Sequence, residues 1–474
     1  MQTNHMPVAA QAGGLYHPAF PDSWRRYKLH DLASWINGMA FRDFHFTGNG
    51  RPIIKIAEIK NGVSGQTKFT SREYDPVYLV NPGDLLFSWS GQPESSIDAF
   101  WWSGPEGWVN QHIFKVIPAT DLLSSEFLFY LLRYLKPNFI AIAKNKQTTG
   151  LGHVTKADLR NIEVGVPPER IQSGIVRLLK PLDDKILLNA QVNQALEQLV
   201  QTIFQGWFVD YLPVRAKAAA RSEGRDPLRA AIYALSGKDE DAMPREQYEQ
   251  LAATAALFPD ELVDSELGEV PLGWNVRSLS DVLEINPPRT LKKGTAAPYL
   301  DMASVPTNSA RVSHVAVRAF GSGAKFCNGD TLLARITPCL ENGKTALVDF
   351  LESGKIGWGS TEFIVLRPKP PLPEPFAYFL CRNPRFRSFA IANMAGTTGR
   401  QRVPNDCFAN YHIAVPDTET AQAFGRFATE CLSLMRARDA ESQTLAEMRD
   451  TLLPKLLSGE IRVGEAQKLV GAAV

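Results

Sequence analysis

The stretch 169–207 constrains the fold more than any other part of the sequence. Ten positions follow one another at alternating spacings of four and three residues: Ile171, Ile175, Leu178, Leu182, Lys185, Asn189, Val192, Leu196, Leu199 and Ile203. All are apolar except Lys185 and Asn189 in the middle. This 3.5-residue repeat is typical of a helix whose narrow apolar stripe packs against a second helix. The pattern predicts a helix of roughly 55 Å that needs a partner. Pro181 is expected to kink that helix or to split it.

Length and composition indicate a globular protein with more than one domain. The chain has 474 residues, of which 44% are hydrophobic, enough for two or three separate cores. It contains no apolar run long enough to cross a membrane and no secretory signal, so we expect a cytoplasmic protein. The cysteines form no C-x-x-C pair, which favours reduced thiols over a zinc site: Cys327, Cys339, Cys381, Cys407 and Cys431.

The net charge is only +1, but the charges are unevenly distributed. Residues 127–157 and 382–402 contain Lys and Arg and no acidic residue, whereas residues 238–269 are rich in acids. The chain therefore has local basic patches within a neutral whole.

Short β-like segments and one helix predict a compact mixed domain before the long helix. The expected strands are 52–56, 77–80, 85–89, 107–116 and 162–166. A helix is expected at 126–135, and a polar loop at 144–150 precedes the last strand. Beyond the long helix, residues 213–268 are expected to form an acidic linker with short helices.

The first domain then recurs at a nearly constant distance along the chain. Asp330 lies 246 residues after Asp84, and Pro271 lies 250 residues after Pro21. The matching segments are 21–24 with 271–274, 81–86 with 328–333, 111–118 with 361–368, 147–150 with 396–399, and 164–167 with 413–416. Their shared order and spacing predict a tandem repeat.

A second long helix, predicted at 418–457, follows the second domain. Its predicted seam consists of Phe424, Phe427, Cys431, Leu434, Arg438, Glu441, Leu445, Met448 and Leu452. Arg438 and Glu441, near the middle, are again the two exceptions to its apolar character. Matched length and matched place in the repeat favour pairing the two helices antiparallel over two separate bundles. The predicted fold is α+β, with two repeated domains held apart by the helix pair and related by a pseudo-twofold axis. Lys185 and Glu441 are the expected mid-seam contact.

Several segments of the chain resemble the specificity subunit of type I restriction–modification systems. They are residues 182–189 in the central helix, 207–210 after it, 257–274 before the second domain and 452–461 near the end. Together with the tandem plan, the resemblance covers almost all of residues 21–463. In that family each globular domain is a target-recognition domain that reads one half of a split, asymmetric DNA site. The helices fix the gap between the two halves.

The resemblance also implies the partners and the division of labour. It implies double-stranded DNA, two methyltransferase subunits docked on the helices, and nuclease–translocase subunits in the complete enzyme. S-adenosylmethionine, ATP and Mg²⁺ are expected to be used by those other subunits, so this chain is expected to be non-catalytic and to bind no cofactor or metal. The expected organisation is a tail (1–20), the first target-recognition domain (21–168), the central helix (169–212), the acidic linker (213–268), the second target-recognition domain (269–416), and a C-terminal helix with its tail (417–474).

Two matching polar loops are the predicted DNA-reading segments. Lys and Arg attract phosphates, Arg and Gln can pair with guanine and adenine edges, and glycines permit close approach. The predicted contacts are Lys144, Lys146, Gln147, Thr148, Thr149 and His153 in one loop, and Thr397, Thr398, Arg400, Gln401 and Arg402 in the other, with Arg335 and Lys344 as further candidates. The alternative for each loop is a solvated hairpin without a role. The tryptophans at 89, 101, 102 and 108 are interpreted as core or sheet-face residues.

Two other function classes remain as alternatives: a stand-alone or fused nuclease or methyltransferase, and a coiled-coil scaffold without a DNA role. Residues 286–288, Asn-Pro-Pro, resemble the start of an adenine methyltransferase motif, but Arg289 replaces its stacking aromatic residue. Glu58 and Lys60 with Asp43 upstream loosely fit a nuclease pattern. Solvent-facing residues that alternate along a strand would produce the same pattern.

Overall fold

The computed structural model describes residues 18–146, 150–312, 314–397 and 399–471. They form two compact units. The first contains the described residues up to Leu187 together with those from Glu441 onward, and the second contains residues 188–440. Each unit mixes strands with helices, as the α+β prediction requires, and each includes part of both long helices.

The first unit begins with a strand-rich globular part. Its strands are β1 (Arg25–Lys28), β2 (Ala33–Asn37), β3 (Arg51–Ile54), β4 (Phe69–Thr70), β5 (Leu79–Val80), β6 (Leu85–Ser88), β7 (Ser90–Gly91), β8 (Asp98–Trp101), β9 (Gly107–Val109), β10 (Ile113–Pro118), β11 (Gly152–His153) and β12 (Glu163–Val166). Its helices are α1 (Ile56–Asn61), α2 (Pro93–Ser96), α3 (Ser125–Tyr134), α4 (Lys136–Asn145), α5 (Lys156–Asn161) and the start of α6 (Glu169–Phe208).

The central sheet of the first unit is antiparallel, in the order β2-β10-β6-β8. Helix α3 packs against it through a nearly continuous apolar face, and the Ser124 side chain caps its N-terminus by accepting a hydrogen bond from the Phe127 amide. The single strand predicted at 107–116 is wrong, because a turn after Val109 separates β9 from β10. The strand predicted at 52–56 ends at Ile54, since α1 begins two residues later.

The second unit repeats this plan after three additional helices. Its helices are α7 (Leu212–Ser222), α8 (Pro227–Ser236), α9 (Arg245–Ala256), α10 (Leu279–Val282), α11 (Pro375–Arg382), α12 (Pro384–Ala392) and the start of α13 (Thr418–Ser458); α13 ends in the first unit, where α14 (Val463–Gly471) follows it. Its strands are β13 (Leu262–Ser265), β14 (Gly268–Pro271), β15 (Asn275–Ser278), β16 (Leu283–Ile285), β17 (Ala296–Leu300), β18 (Ala316–Ala319), β19 (Ala324–Phe326), β20 (Thr331–Ala334), β21 (Thr345–Leu347), β22 (Gly357–Gly359), β23 (Phe363–Pro368) and β24 (His412–Val415).

The predicted tandem repeat is confirmed by strand order. The sheet β16-β23-β20-β21 of the second unit reproduces β2-β10-β6-β8 of the first, with every pair antiparallel. The pair β15-β24 likewise matches β1-β12. In the predicted linker, α8 and α9 form a small core around Ile232 and Ala255, so this segment is packed rather than loose.

Both long helices are present with nearly the predicted bounds, and α6 is continuous through Pro181, so of the two expected effects of this proline the split does not occur. In the first unit, Asp183 contacts Arg449 and Lys185 contacts Glu441, at 2.5 and 3.4 Å between side-chain nitrogen and oxygen. Residue numbers that rise in one helix and fall in the other make the pair antiparallel. The predicted contact between Lys185 and Glu441 is thereby confirmed.

In the second unit the same two helices again run antiparallel. The Asn189 side-chain amide donates to the Arg438 carbonyl at 3.4 Å, and the Asn193 amide donates to the Met435 carbonyl at 3.3 Å. Asn189 is buried, which fits its predicted place in the seam.

The predicted seam is buried or partly buried at all but two of its apolar positions. Seven of its apolar residues are buried (Ile175, Leu178, Leu182, Phe424, Cys431, Leu445 and Leu452), and six are partly buried (Ile171, Val192, Leu196, Ile203, Phe427 and Met448). Leu199 and Leu434 are wrong as seam residues, because their exposed fractions are 46% and 44%. Val200, Phe204 and Met435 are buried instead. A straight helix turns every 3.6 residues, so a strict 3.5-residue seam drifts by about 20° per heptad relative to it.

Each globular part is joined to the long helices through a buried tyrosine on the helix after its central sheet. In the first unit, the Tyr130 hydroxyl donates to Asp183 at 2.7 Å, and Arg449 holds the other oxygen of that carboxylate. In the second unit, the Tyr378 hydroxyl donates to Glu197, which also accepts from the Ala310 amide at 3.2 Å.

Candidate nucleic-acid interface

The first predicted loop is held at both ends by regular structure. It leaves α4 at Asn145 and returns as β11, which pairs with β7 directly after the central strand β6. A Cβ at Gly152 would lie 2.5 Å from the Ala143 carbonyl oxygen, so only glycine permits this close return. Gln147, Thr148 and Thr149 lie outside the described residues.

The two lysines of this loop are engaged with acids of their own domain. Lys144 contacts Glu94 at 2.6 Å and Lys146 contacts Asp158 at 2.5 Å, all four side chains being at least partly exposed. The hydrogen bond from Lys144 lowers the pKa of Glu94. Each lysine can still attract phosphate, but only in competition with its carboxylate.

His153 lies at the base of the loop, in a cluster with Trp89 and His112. The Trp89 ring is 5.7 Å from the His112 ring and 5.8 Å from the His153 ring, between centroids. The Ser90 hydroxyl is 2.9 Å from His153 Nδ1, and the Trp89 indole donates to Asn37 at 3.0 Å. Burial, and then the nearby charge of His153, lower the pKa of His112. We call Trp89, His112 and His153 the first trio.

The equivalent place in the second unit carries a different set of side chains. Arg402 pairs with Glu362 through Nε, at 2.9 and 3.0 Å from the two carboxylate oxygens, and through Nη2 at 2.7 Å. The hydrogen bond from Arg402 lowers the pKa of Glu362, and the charge of Arg335 acts in the same direction. We call Arg335, Glu362 and Arg402 the second trio.

Backbone hydrogen bonds fix the second trio in the sheet. The Arg335 amide donates to the Glu362 carbonyl, and the Val403 amide donates to the Arg335 carbonyl, both at 2.9 Å. The Thr337 amide donates to the Gln401 carbonyl at 3.0 Å. The returning arm of the second loop therefore lies beside the end of β20, as β11 lies beside the residues after β6.

The remaining predicted DNA contacts of the second domain lie partly at the surface and partly in hydrogen bonds within the domain. Thr397 and Arg400 are exposed and Gln401 is half-buried, whereas Thr398 lies outside the described residues. Lys344 donates to the carbonyls of Met302 and Ala303, at 2.5 and 3.3 Å, which indicates a structural role for its ammonium group.

The sequence motifs assign neither His112 nor Glu362 to a site, and Trp89, interpreted as a core or sheet-face residue, is half-buried. The signal was present in the repeat. Trp89 and Arg335 are 246 residues apart, His112 and Glu362 are 250 apart, and His153 and Arg402 are 249 apart. Comparing the two copies position by position therefore finds both trios.

The enzyme-like motifs have structural roles. Asn286 adopts a left-handed conformation, and its side-chain oxygen accepts from the Val365 amide at 2.9 Å, which explains an asparagine at this turn. Glu58 lies in α1, not on a strand as the solvent-facing alternative supposed, and caps that helix by accepting from the Lys55 amide. The described residues contain no group of three or more His, Cys, Asp or Glu able to hold a metal ion. No helix among them is long and apolar enough to cross a membrane.

Comparison with known proteins finds similarity to the specificity subunits of type I restriction enzymes. Residues 21–198 match the model of the type I restriction modification DNA specificity domain. Over 469 residues the chain is 28% identical to the HindI specificity subunit of Haemophilus influenzae, covering 92% of this chain and 99% of that one. The EcoEI specificity subunit of Escherichia coli is 26% identical over 254 residues, which are 52% of this chain and 42% of the relative.

Among solved structures, the S subunit of a type I restriction–modification system from M. genitalium aligns with 95% of this chain and 98% of its own. The sequence identity is 12% and the TM-score is 0.43.

Proposed function

Because this chain is similar to the specificity subunits of type I restriction enzymes, we propose that each of its two repeated domains reads one half of a bipartite, asymmetric DNA site. One observation carries the proposal. The two domains share strand order, yet the same three positions hold Trp, His and His in one copy and Arg, Glu and Arg in the other. Two copies of one scaffold with different side chains suit two half-sites of different sequence.

The long helices are proposed to set the gap between the half-sites and to dock two methyltransferase subunits. In the second unit, α6 presents a row of uncovered apolar residues at helical spacing. Leu188 and Leu199 are 51% and 46% exposed, and Ala195 between them is exposed as well. Positions separated by seven and four residues lie on one face of a helix, and such a face is an apolar docking surface.

Catalysis is assigned to the other subunits. We propose that this chain is non-catalytic and that S-adenosylmethionine, ATP and Mg²⁺ act in the methyltransferase subunits and in nuclease–translocase subunits of the complete enzyme. The roles found for Asn286 and Glu58 support this assignment, because both residues are committed to backbone hydrogen bonds.

Methylation mapping of the source genome with and without this gene tests the function directly. The expected result is loss of methylation at one bipartite motif, with all other motifs unchanged. Methylation or cleavage by the purified chain alone, given Mg²⁺, ATP and the methyl donor, would contradict the subunit assignment. Inserting four residues into both long helices should change the gap in the recognised motif and leave the bases at each end unchanged.

The docking surface has its own test. Leu188→Asp and Leu199→Asp should each reduce co-purification of the methyltransferase subunit, because a carboxylate would be buried in an apolar contact. Leu267→Asp is the matched control, since Leu267 is equally exposed at 44% but lies in the turn between β13 and β14. An equal loss with all three variants would show that the α6 surface is not the docking site.

A further inference from the structure

Glu362 lies between two arginines at the base of the second loop. It immediately precedes β23 and accepts hydrogen bonds from Arg402, which lies on the returning arm of the loop. These hydrogen bonds and the charge of Arg335 lower the pKa of Glu362. The Arg335 Nε is buried and has no hydrogen-bond partner within the described part of the chain. The Glu362 carboxylate therefore carries its negative charge next to two cationic side chains.

The way in which Glu362 holds Arg402 leaves one edge of the guanidinium group available. A guanidinium group has five N–H donors in a fixed plane. Glu362 takes the donors on the Nε and Nη2 side. The opposite edge, formed by Nη1 and the outer hydrogen of Nη2, has only a contact of 3.4 Å from Nη1 to the Arg400 carbonyl among the described residues. The Arg402 side chain is 45% exposed, so part of it can be reached by a ligand.

We propose that Glu362 is a positioning residue for Arg402, fixing the guanidinium plane so that its free edge pairs with O6 and N7 of a guanine in the half-site read by the second domain. This inference rests on the proposed function and deepens it by naming a base and the residue that orients its reader. Two parallel N–H donors match the two acceptors of guanine in the major groove, and no other base offers that pair.

The carboxylate also favours a base over a phosphate as the ligand of Arg402. An unpaired arginine is attracted to any phosphate oxygen, whereas a carboxylate-paired arginine has lost much of that unspecific attraction and keeps its directional donors. Holding the side chain in advance further reduces the rotamer entropy lost on binding. In the first domain the equivalent positions are His112 and His153, so this arrangement is confined to one half-site.

The test is selection from a DNA library randomised in both half-sites, using the full chain with the subunits that co-purify with it. Glu362→Gln should reduce the preference for guanine at one position of the second half-site roughly tenfold. Selection in the first half-site should not change. Glu362→Asp should restore part of the preference, because it restores the charge on a shorter side chain.

The matched control is Glu106→Gln, which removes a carboxylate from an arginine in the first domain. Glu106 accepts from Arg51 Nε at 2.6 Å, and its side chain is 41% exposed. This variant should select the wild-type sequence. Hydrogen exchange of β20 and β23 then separates orientation from folding, since an orienting role leaves their protection unchanged.

Each remaining outcome overturns a defined statement. If Glu362→Gln selects the same bases as the wild type, or weakens binding equally on all sequences, or loses specificity only together with protection in β20 and β23, the positioning role is wrong. If the wild-type complex selects no sequence in either half-site, the proposed function fails before this inference is tested.

Discussion

In each unit an equivalent tyrosine donates a hydrogen bond to a carboxyl group of α6, but the charge around that carboxyl group differs between the units. Tyr130 and Tyr378 are 248 residues apart and occupy equivalent helices, α3 and α11. In the first unit the acceptor, Asp183, is neutralised by Arg449, whereas in the second unit the acceptor, Glu197, is bonded to the tyrosine hydroxyl and one backbone amide. One anchor thus contains an ion pair, and the other contains a carboxyl group whose pKa burial raises.

The difference teaches that the repeat preserves positions and geometry more strictly than charge. The same lesson applies at the DNA-reading end, where Trp89, His112 and His153 correspond to Arg335, Glu362 and Arg402. At both places the backbone is repeated, while the side chains that decide the chemistry have diverged between the copies. The two ends can therefore be perturbed separately within each unit.

Removing the arginine of the first anchor should have the largest effect. Arg449→Met leaves the Asp183 carboxylate paired only with the Tyr130 hydroxyl, and a partly buried carboxylate without its cation costs about 3 kcal/mol. Hydrogen exchange should show this loss in α3 and in the first half of α6, with residues 188–440 unchanged. Arg385→Met is the control, because the pair of Arg385 and Asp210 is largely exposed. Equal losses in both units would mean that the anchors are not independent.

The second anchor should respond to loss of its tyrosine hydroxyl and to pH. Tyr378→Phe removes a hydrogen bond to a buried carboxyl group and should cost about 1.5–3 kcal/mol in the second unit. Because the folded-state pKa of Glu197 is raised, the folded state prefers its protonated form. The corresponding stability is present below the ordinary carboxyl value and is lost as pH rises through the raised pKa.

Urea unfolding of the wild type and of Glu197→Gln, compared from pH 4 to pH 8, isolates this contribution. The stability difference between the two proteins should move in favour of the Gln variant as pH rises, since Gln stays neutral. A difference that does not vary with pH would show that Glu197 has the same pKa in the folded and unfolded states. The first unit, whose Asp183 is paired with Arg449, serves as the internal reference.

The sequence predicted the repeat, both long helices and the mid-seam contact because these depend on spacing along the chain. It misplaced Leu199 and Leu434, because the seam of a straight helix drifts away from a 3.5-residue repeat. It left His112 and Glu362 unassigned, because their surroundings depend on strands that meet only in the folded domain. The base of each loop is built from three separate segments, and the spacing within any one of them carries no sign of the other two.

Placing two residues of the second trio at the equivalent positions of the first domain should have an intermediate effect. The effect is expected on base specificity and not on stability. The double variant His112→Glu with His153→Arg places the carboxylate and guanidinium of the second trio on the scaffold of the first. If these positions determine the base, the first half-site should gain a preference for guanine of about 1–2 kcal/mol at one position. Library selection by the full complex measures this change. An unchanged base preference in the first half-site would indicate that the two trios occupy equivalent backbone positions without determining the base.

The pH dependence of the first trio sharpens the same comparison. Burial lowers the pKa of His112, so the folded domain prefers the neutral ring, and its stability should decline as pH falls below the ordinary histidine value of about 6.5. The second trio should not respond in this range, because the pKa of Glu362 is lowered below its ordinary value. His112→Gln should remove the decline in the first unit. A decline that persists in this variant would have to come from another group.

The smallest effect is expected at Lys185 and Glu441, the contact that the sequence alone predicted. Both side chains are nearly half-exposed, at 45% and 46%, and the distance is 3.4 Å. Water and salt screen such a pair, so Lys185→Ala should cost less than about 0.5 kcal/mol, with the difference vanishing at high salt. Asn189→Ala, one turn further along α6 and buried, should cost about 1 kcal/mol through its hydrogen bond to the Arg438 carbonyl. If Lys185→Ala cost more than Asn189→Ala, charge in the seam would matter more than burial. The contact between Lys185 and Glu441, which the sequence predicted, is therefore expected to contribute least to the stability of the helix pair, because both side chains are exposed to water.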